Sequence, residues 1–145
     1  MRVWILRIGL AAMAALNFWW GAWAVAWPRS FFDVFPGFGR RWTAAYPPYN
    51  EHLVVDLGAT FLTLGFLLAV AAVLRSRPVR LVVLGGVLVF NSLHLAFHAG
   101  HRGNMGWLDY GLSTASLLAG VLGPLFLLFL ALPRDPDRAA DTVAA

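Results

Sequence analysis

The sequence predicts an all-α integral membrane protein, a four-transmembrane-helix bundle with a long aromatic loop between its first two spans. Three observations carry this. Of 145 residues, 60% are hydrophobic and 12% charged, against roughly 45–50% and about 25% in soluble domains. Four apolar stretches, at about residues 3–27, 53–74, 79–99 and 107–132, each supply the ~20 residues a helix needs to cross a hydrocarbon core. No ten-residue alternating pattern suggests barrel strands, so helices remain as the way to satisfy backbone polar groups in lipid. The same composition excludes a disordered chain. The absence of Cys excludes a disulfide scaffold, a thiolate metal site and a cysteine nucleophile.

The first span carries Arg7 and ends in Trp19, Trp20, Trp23 and Trp27, which suit an interfacial aromatic belt. Arg2 ahead of an apolar run, with Ala24-Val25-Ala26 behind it, also resembles a cleaved signal peptide, but Arg7, the length of the run and the tryptophans oppose that reading. Trp27-Pro28 closes the span. The connection from Pro28 to Asn50 is 23 residues long and holds Phe31, Phe32, Phe35, Phe38, Trp42, Tyr46 and Tyr49. It is too aromatic for a solvated linker. Ser30 is placed to cap a short helical turn that Pro36-Gly37 stops, and the segment is expected to lie at the interface over one end of the bundle, as a flap or as a plain anchor.

The remaining spans follow through two tight connections, Arg75-Ser76-Arg77-Pro78 and Gly100 to Gly106, which predict antiparallel neighbours. Gly58, Gly65, Gly85, Gly86, Gly111, Gly120 and Gly123 are expected at close helix contacts, and Gly123-Pro124 at a kink. Pro133 ends the fourth span and the single domain, 1–133; residues 134–145 are expected to form a short flexible cytoplasmic tail.

The net charge of +4 comes from eleven Arg, no Lys and seven acidic residues. These lie at span ends rather than in a stripe, so they report topology and leave nucleic acid out as a partner. Arg2, Arg7, Arg75, Arg77, Arg80, Arg134 and Arg138 fall on one side and Arg29, Arg40, Arg41 and Arg102 on the other, which predicts a plasma-membrane protein with both termini cytoplasmic.

Ionisable residues within spans are costly and usually functional. Glu51, His52 and Asp56 open the second span; His94, His98 and His101 close the third; Asp109 and Tyr110 open the fourth. Antiparallel order brings all of them to one end, extracytoplasmic on the topology above. Asn91, His94, His98 and His101 share a helical face, as do His52, Asp56, Thr60 and Thr63, and Asp109, Ser113 and Ser116. Asn17 is the only amide inside the first span. The expectation is that these stripes meet on a common axis.

Paired imidazoles at i and i+4 with a carboxylate from a neighbouring helix suit Zn, Fe or Cu. His94, His98 and Asp56 are the first candidate ligands, with His52 or His101 as fourth. Glu51 or Asp109 would orient a ligand or act as acid or base. The spacing HxxxHxxH resembles histidine boxes of membrane desaturases and hydroxylases, but four His in all allow at most a mononuclear site. Three other readings stand beside it: a structural polar network, a proton or small-molecule relay, and b-type haem held by His52 with His94 or His98. The bilayer is the certain partner class; a small apolar or redox-active ligand, a membrane protein partner and a second copy are the others considered. No nucleotide or phosphate motif and no Ser-His-Asp order is present.

The segments FPGFGR, YNEHLxxDxGA and HLxFHxxH resemble a family of small four-span membrane proteins, mostly actinobacterial, over about residues 28–101. The resemblance implies topology and carries no reaction. DoxX-like proteins are similar in overall shape alone.

Overall fold

Short polar breaks between long apolar runs leave the chain few alternatives to helical hairpins. The computed structural model describes residues 1–74 and 76–132; the tail at 134–145 lies outside the described residues. Its helices are α1 (Arg2–Ala26), α2 (Pro28–Val34), α3 (Glu51–Val73), α4 (Arg77–Gly100) and α5 (Trp107–Ala131), with one 3-10 turn at Thr43–Ala45. The four long helices α1, α3, α4 and α5 are each apolar and long enough to cross a membrane, so their outer faces meet lipid.

Helix ends follow local chemistry. Asn50 accepts from the Leu53 backbone N–H at 3.2 Å and starts α3. Pro28 and Pro78 sit in first turns, where a missing N–H costs nothing. Ser30 does not cap α2: it lies inside that helix and accepts from the Trp23 indole N–H at 3.2 Å. The orphan carbonyls at helix C-termini are closed from a distance. Arg2 donates to Phe129, Leu130 and Leu132 at 2.7–2.8 Å, capping α5, and the buried Arg80 donates to Ala71 at 3.2 Å, near the end of α3. Both arginines, expected as topology markers, are thus also caps.

Around the bundle the helices run α1, α3, α4, α5, each touching the next, and α5 returns to α1. The tight connections make α4 a neighbour of both α3 and α5, as expected, but α3 packs chiefly on α1, the span before it. Small residues decide this. A Cβ on Gly21 would lie 2.8 Å from the Gly58 carbonyl and the Leu62 amide, and one on Gly58 would lie 2.9 Å from Ala24 and Val25. Only glycine permits that approach. Gly65 lies against Phe18 and Gly120 against Asn91, whereas Gly85, Gly86, Gly111 and Gly123 face open space and are not packing glycines within this chain. α5 is continuous through the buried Pro124.

A four-helix core occupies the end where the N-terminus and the end of α5 lie, here the terminal end: Leu6, Leu10 and Ala14 from α1 meet Leu68 and Ala71 from α3, Leu84 and Val87 from α4, and Leu127 from α5. At the other, histidine end a second core belongs to α1, α2 and α3 alone, through Ala24, Phe31, Phe32 and Val54, roofed by Trp20, Trp23, Phe35 and Tyr49. The connection caps this end, as its aromatic content predicted.

Candidate functional site

Side chains brought to one end of a bundle share a site only if their helices also face each other. Here the stripes largely turn back on themselves. Thr60 donates to the Asp56 carbonyl and Thr63 to Ala59, each at 2.9 Å. Ser113 donates to Tyr110 and Ser116 to Ser113, and Asn17 donates to Met13 at 2.9 Å. Such hydroxyls and amides satisfy themselves on the preceding turn. Asn91 crosses to α5, donating to the Gly120 carbonyl at 2.6 Å, and so fixes register instead of extending a site. The common axis expected from helical phase does not form, because α3 is turned toward α1.

The carboxylates are placed accordingly. Asp56 pairs with His52 on its own helix, Nε2 to Oδ2 at 3.3 Å, with the two side chains 59% and 81% exposed. Glu51 accepts from the Tyr49 hydroxyl at 3.3 Å. Asp109 is gripped by the connection: one oxygen takes the Arg40 guanidinium and the Trp42 indole N–H, the latter at 3.0 Å. None of the three touches an imidazole of α4. Among the described residues no group of three or more His, Asp or Glu is placed to hold a metal ion.

The imidazoles do gather. His94 and His98 stack with ring centroids 4.7 Å apart and planes 27° off parallel, and Phe90 meets His94 edge-on at 5.5 Å. His101 stacks on Phe97 at 4.4 Å and directs Nδ1 to the Phe97 carbonyl at 2.8 Å. Below the pair, Phe61 of α3 meets Phe90 at 6.0 Å, the aromatic contact between α3 and α4 at this level.

Tyr46, from the connection, completes the arrangement. Its hydroxyl donates to the His101 carbonyl at 2.5 Å and lies 2.9 Å from His98 Nδ1. A phenol has one proton and a carbonyl only accepts, so in the neutral ring His98 carries its proton on Nδ1 and donates it to Tyr46. The Nε2 lone pair of His98 is thereby left available beside His94. Burial, then the neighbouring Tyr110, push the Tyr46 phenol above its usual range, which keeps it a donor. Its position is enforced by Gly103 in the α4–α5 turn, at φ +59°, where a Cβ would lie 2.6 Å from the Ala45 carbonyl and 2.9 Å from the Tyr46 ring. The Asn104 N–H also donates to Ala45 at 2.9 Å, and Tyr110 closes α4 by donating to Ala99 at 2.6 Å.

No protein-family model, curated protein or solved structure matches the chain.

The histidine cluster is legible in the sequence, whereas the loop partners of His98 and of Asp109 are not. Tyr46, Arg40 and Trp42 act across 52, 69 and 67 residues, and only the aromatic and basic content of the connection hinted at them. A cleft of about 370 Å³ lies beside this clamp, lined by Arg40, Arg41, Trp42, Asn104 and Asp109, and does not include the imidazole pair.

Proposed function

We propose that this multi-pass membrane protein binds a transition-metal ion through His94 and His98, and acts on or carries a small apolar or redox-active molecule at that ion. The observation that supports the reading is the 2.9 Å contact of His98 Nδ1 with the Tyr46 hydroxyl, whose own proton goes to the His101 carbonyl: an imidazole that donates from Nδ1 to a fixed oxygen is oriented and electron-rich at Nε2, the usual preparation of a metal-ligating histidine. Neutral imidazole suits Zn, Cu and Fe. Two protein nitrogens leave coordination positions open for a reactant, and the flanking Phe61, Phe90 and Phe97 suit an apolar one. His101, the residue that follows α4, is an additional imidazole at this end. His52, Asp56, Glu51 and Asp109 have their contacts elsewhere and are not needed as first ligands. In the cell the site faces outward across the plasma membrane, with both termini inside.

Metal analysis of detergent-purified protein tests this. Near-stoichiometric Zn, Cu or Fe, lost in His94→Ala combined with His98→Ala, supports the proposal; no metal in the parent protein, even after incubation with each ion, overturns it. Tyr46→Phe is expected to weaken metal affinity by ~10–100-fold. Haem held by His52 with His94 or His98 would show as a Soret band, and its absence after haem supplementation removes that variant.

A second reading rests on the clamp of Arg40 and Trp42 on Asp109: a non-catalytic membrane subunit whose polar groups only hold the cap. It predicts a metal-free protein in which Asp109→Asn loosens the connection.

A further inference from the structure

Phe38 is the large apolar side chain that the fold explains least. It is 98% exposed, yet its backbone sits in the left-handed region at φ +57°, between Gly37 at +95° and Gly39 at +73°. Bulky residues are disfavoured there, and the side chain recovers nothing by packing on the protein. The turn is nonetheless well held. Gly37 N–H donates to Val34 at 2.6 Å, Arg40 N–H to Gly37 at 3.0 Å and Trp42 N–H to Phe35 at 2.8 Å. Arg41 Nε binds the Asp33 carbonyl at 3.0 Å, and Arg40 and Trp42 are fastened to Asp109. Phe38 is therefore a ring on a rigid tip.

The height of that tip follows from its attachment. Asp109 lies in the first turn of α5, beside Trp107, which is 75% exposed with the Arg102 guanidinium 4.6 Å over its ring. Trp27, 66% exposed, marks the same end of α1. Exposed tryptophans at span ends mark the headgroup level of a bilayer, and an exposed phenylalanine ring held at that same end matches the boundary, where its apolar face can turn toward acyl chains.

We propose that the turn Gly37–Gly39 is a lipid anchor: Phe38 enters the leaflet at the histidine end, so that the cap is tied to the bilayer on one side and to α5 on the other. The occupant of the exposed tip is phospholipid. The inference needs only the spanning topology and stands whether or not His94 and His98 bind a metal.

The chain has no cysteine, so Phe38→Cys takes a single nitroxide label in phospholipid nanodiscs. Collision with dissolved oxygen several-fold stronger than with a water-soluble nickel chelate supports the anchor. Preferential collision with the nickel chelate, meaning a tip in water, overturns it, as does low collision with both, meaning a tip buried in a partner or second copy. Hydroxyl-radical labelling of the unsubstituted protein gives an independent reading: Phe38 oxidised several-fold less in nanodiscs than in denatured protein supports lipid burial, and oxidation equal to that of the denatured protein overturns it.

Discussion

Gly21→Ala is expected to open the α1–α3 interface. The added Cβ would lie 2.8 Å from the Gly58 carbonyl oxygen, the Leu62 amide nitrogen and Leu62 Cγ, where ordinary contact begins near 3.4 Å, so the helices must separate by about 0.6 Å. Two of those three atoms are backbone, and no rotamer change removes them. A gap of ~0.5–1 Å forfeits a quarter to a half of each dispersion contact along the seam. Lipid supplies no compensating hydrophobic force between helices. Overpacking of this kind costs ~2–3 kcal/mol, or roughly 6–9 °C in the unfolding midpoint for a chain of this size. The assay is thermal unfolding in detergent, followed by far-ultraviolet circular dichroism. Gly85→Ala is the matched control: its Cβ meets open space, so the better helix propensity of alanine should raise stability by up to ~1 kcal/mol. A Gly21→Ala midpoint at or above the parent's, or a fall of equal size in Gly85→Ala, would refute the assignment of α1 as the main partner of α3.

Three further outcomes follow from contacts elsewhere. Arg2→Gln removes the charged cap from three carbonyls of α5 and should lower stability by ~1–2 kcal/mol, read by the same melt. Asp109→Asn should shift the melt little, because both members of its ion pair are about a third exposed, yet trypsin should cut faster at Arg40 and Arg41. Tyr46 has its phenol raised above 10.0 by burial and then by Tyr110; the folded state therefore holds that proton more tightly than the unfolded chain. Its contribution is complete below pH 10 and is lost as pH rises from there through the raised value, so alkaline destabilisation above pH 10 should be shallower in Tyr46→Phe, measured by midpoints across the series.

The spans were legible because length, apolarity and Arg-Pro-Gly punctuation act locally: the four helices begin and end within two residues of where the apolar runs predict. Which helix faces which was less legible. Tight connections make α3, α4 and α5 neighbours but do not say that α3 packs most closely on α1, where Gly21 and Gly58 approach across 37 positions; the small residues Ala14, Gly21 and Ala24 were the signal available. The same misjudged facing explains the site. Helical phase correctly stacked His94 with His98, while Asp56 and Asp109 share their end of the molecule without sharing their space. The Tyr46 hydroxyl reaches His98 from a loop, where no periodicity operates.

The Arg2 clasp has a bearing on biogenesis. Its carbonyl acceptors on α5 are the last part of the bundle to leave the ribosome, so α1 must wait in the bilayer with an uncapped guanidinium until translation of the domain is nearly over. Closure of the ring is consequently a late event, and a chain that ends before Phe129 has a first helix with nothing to fasten to.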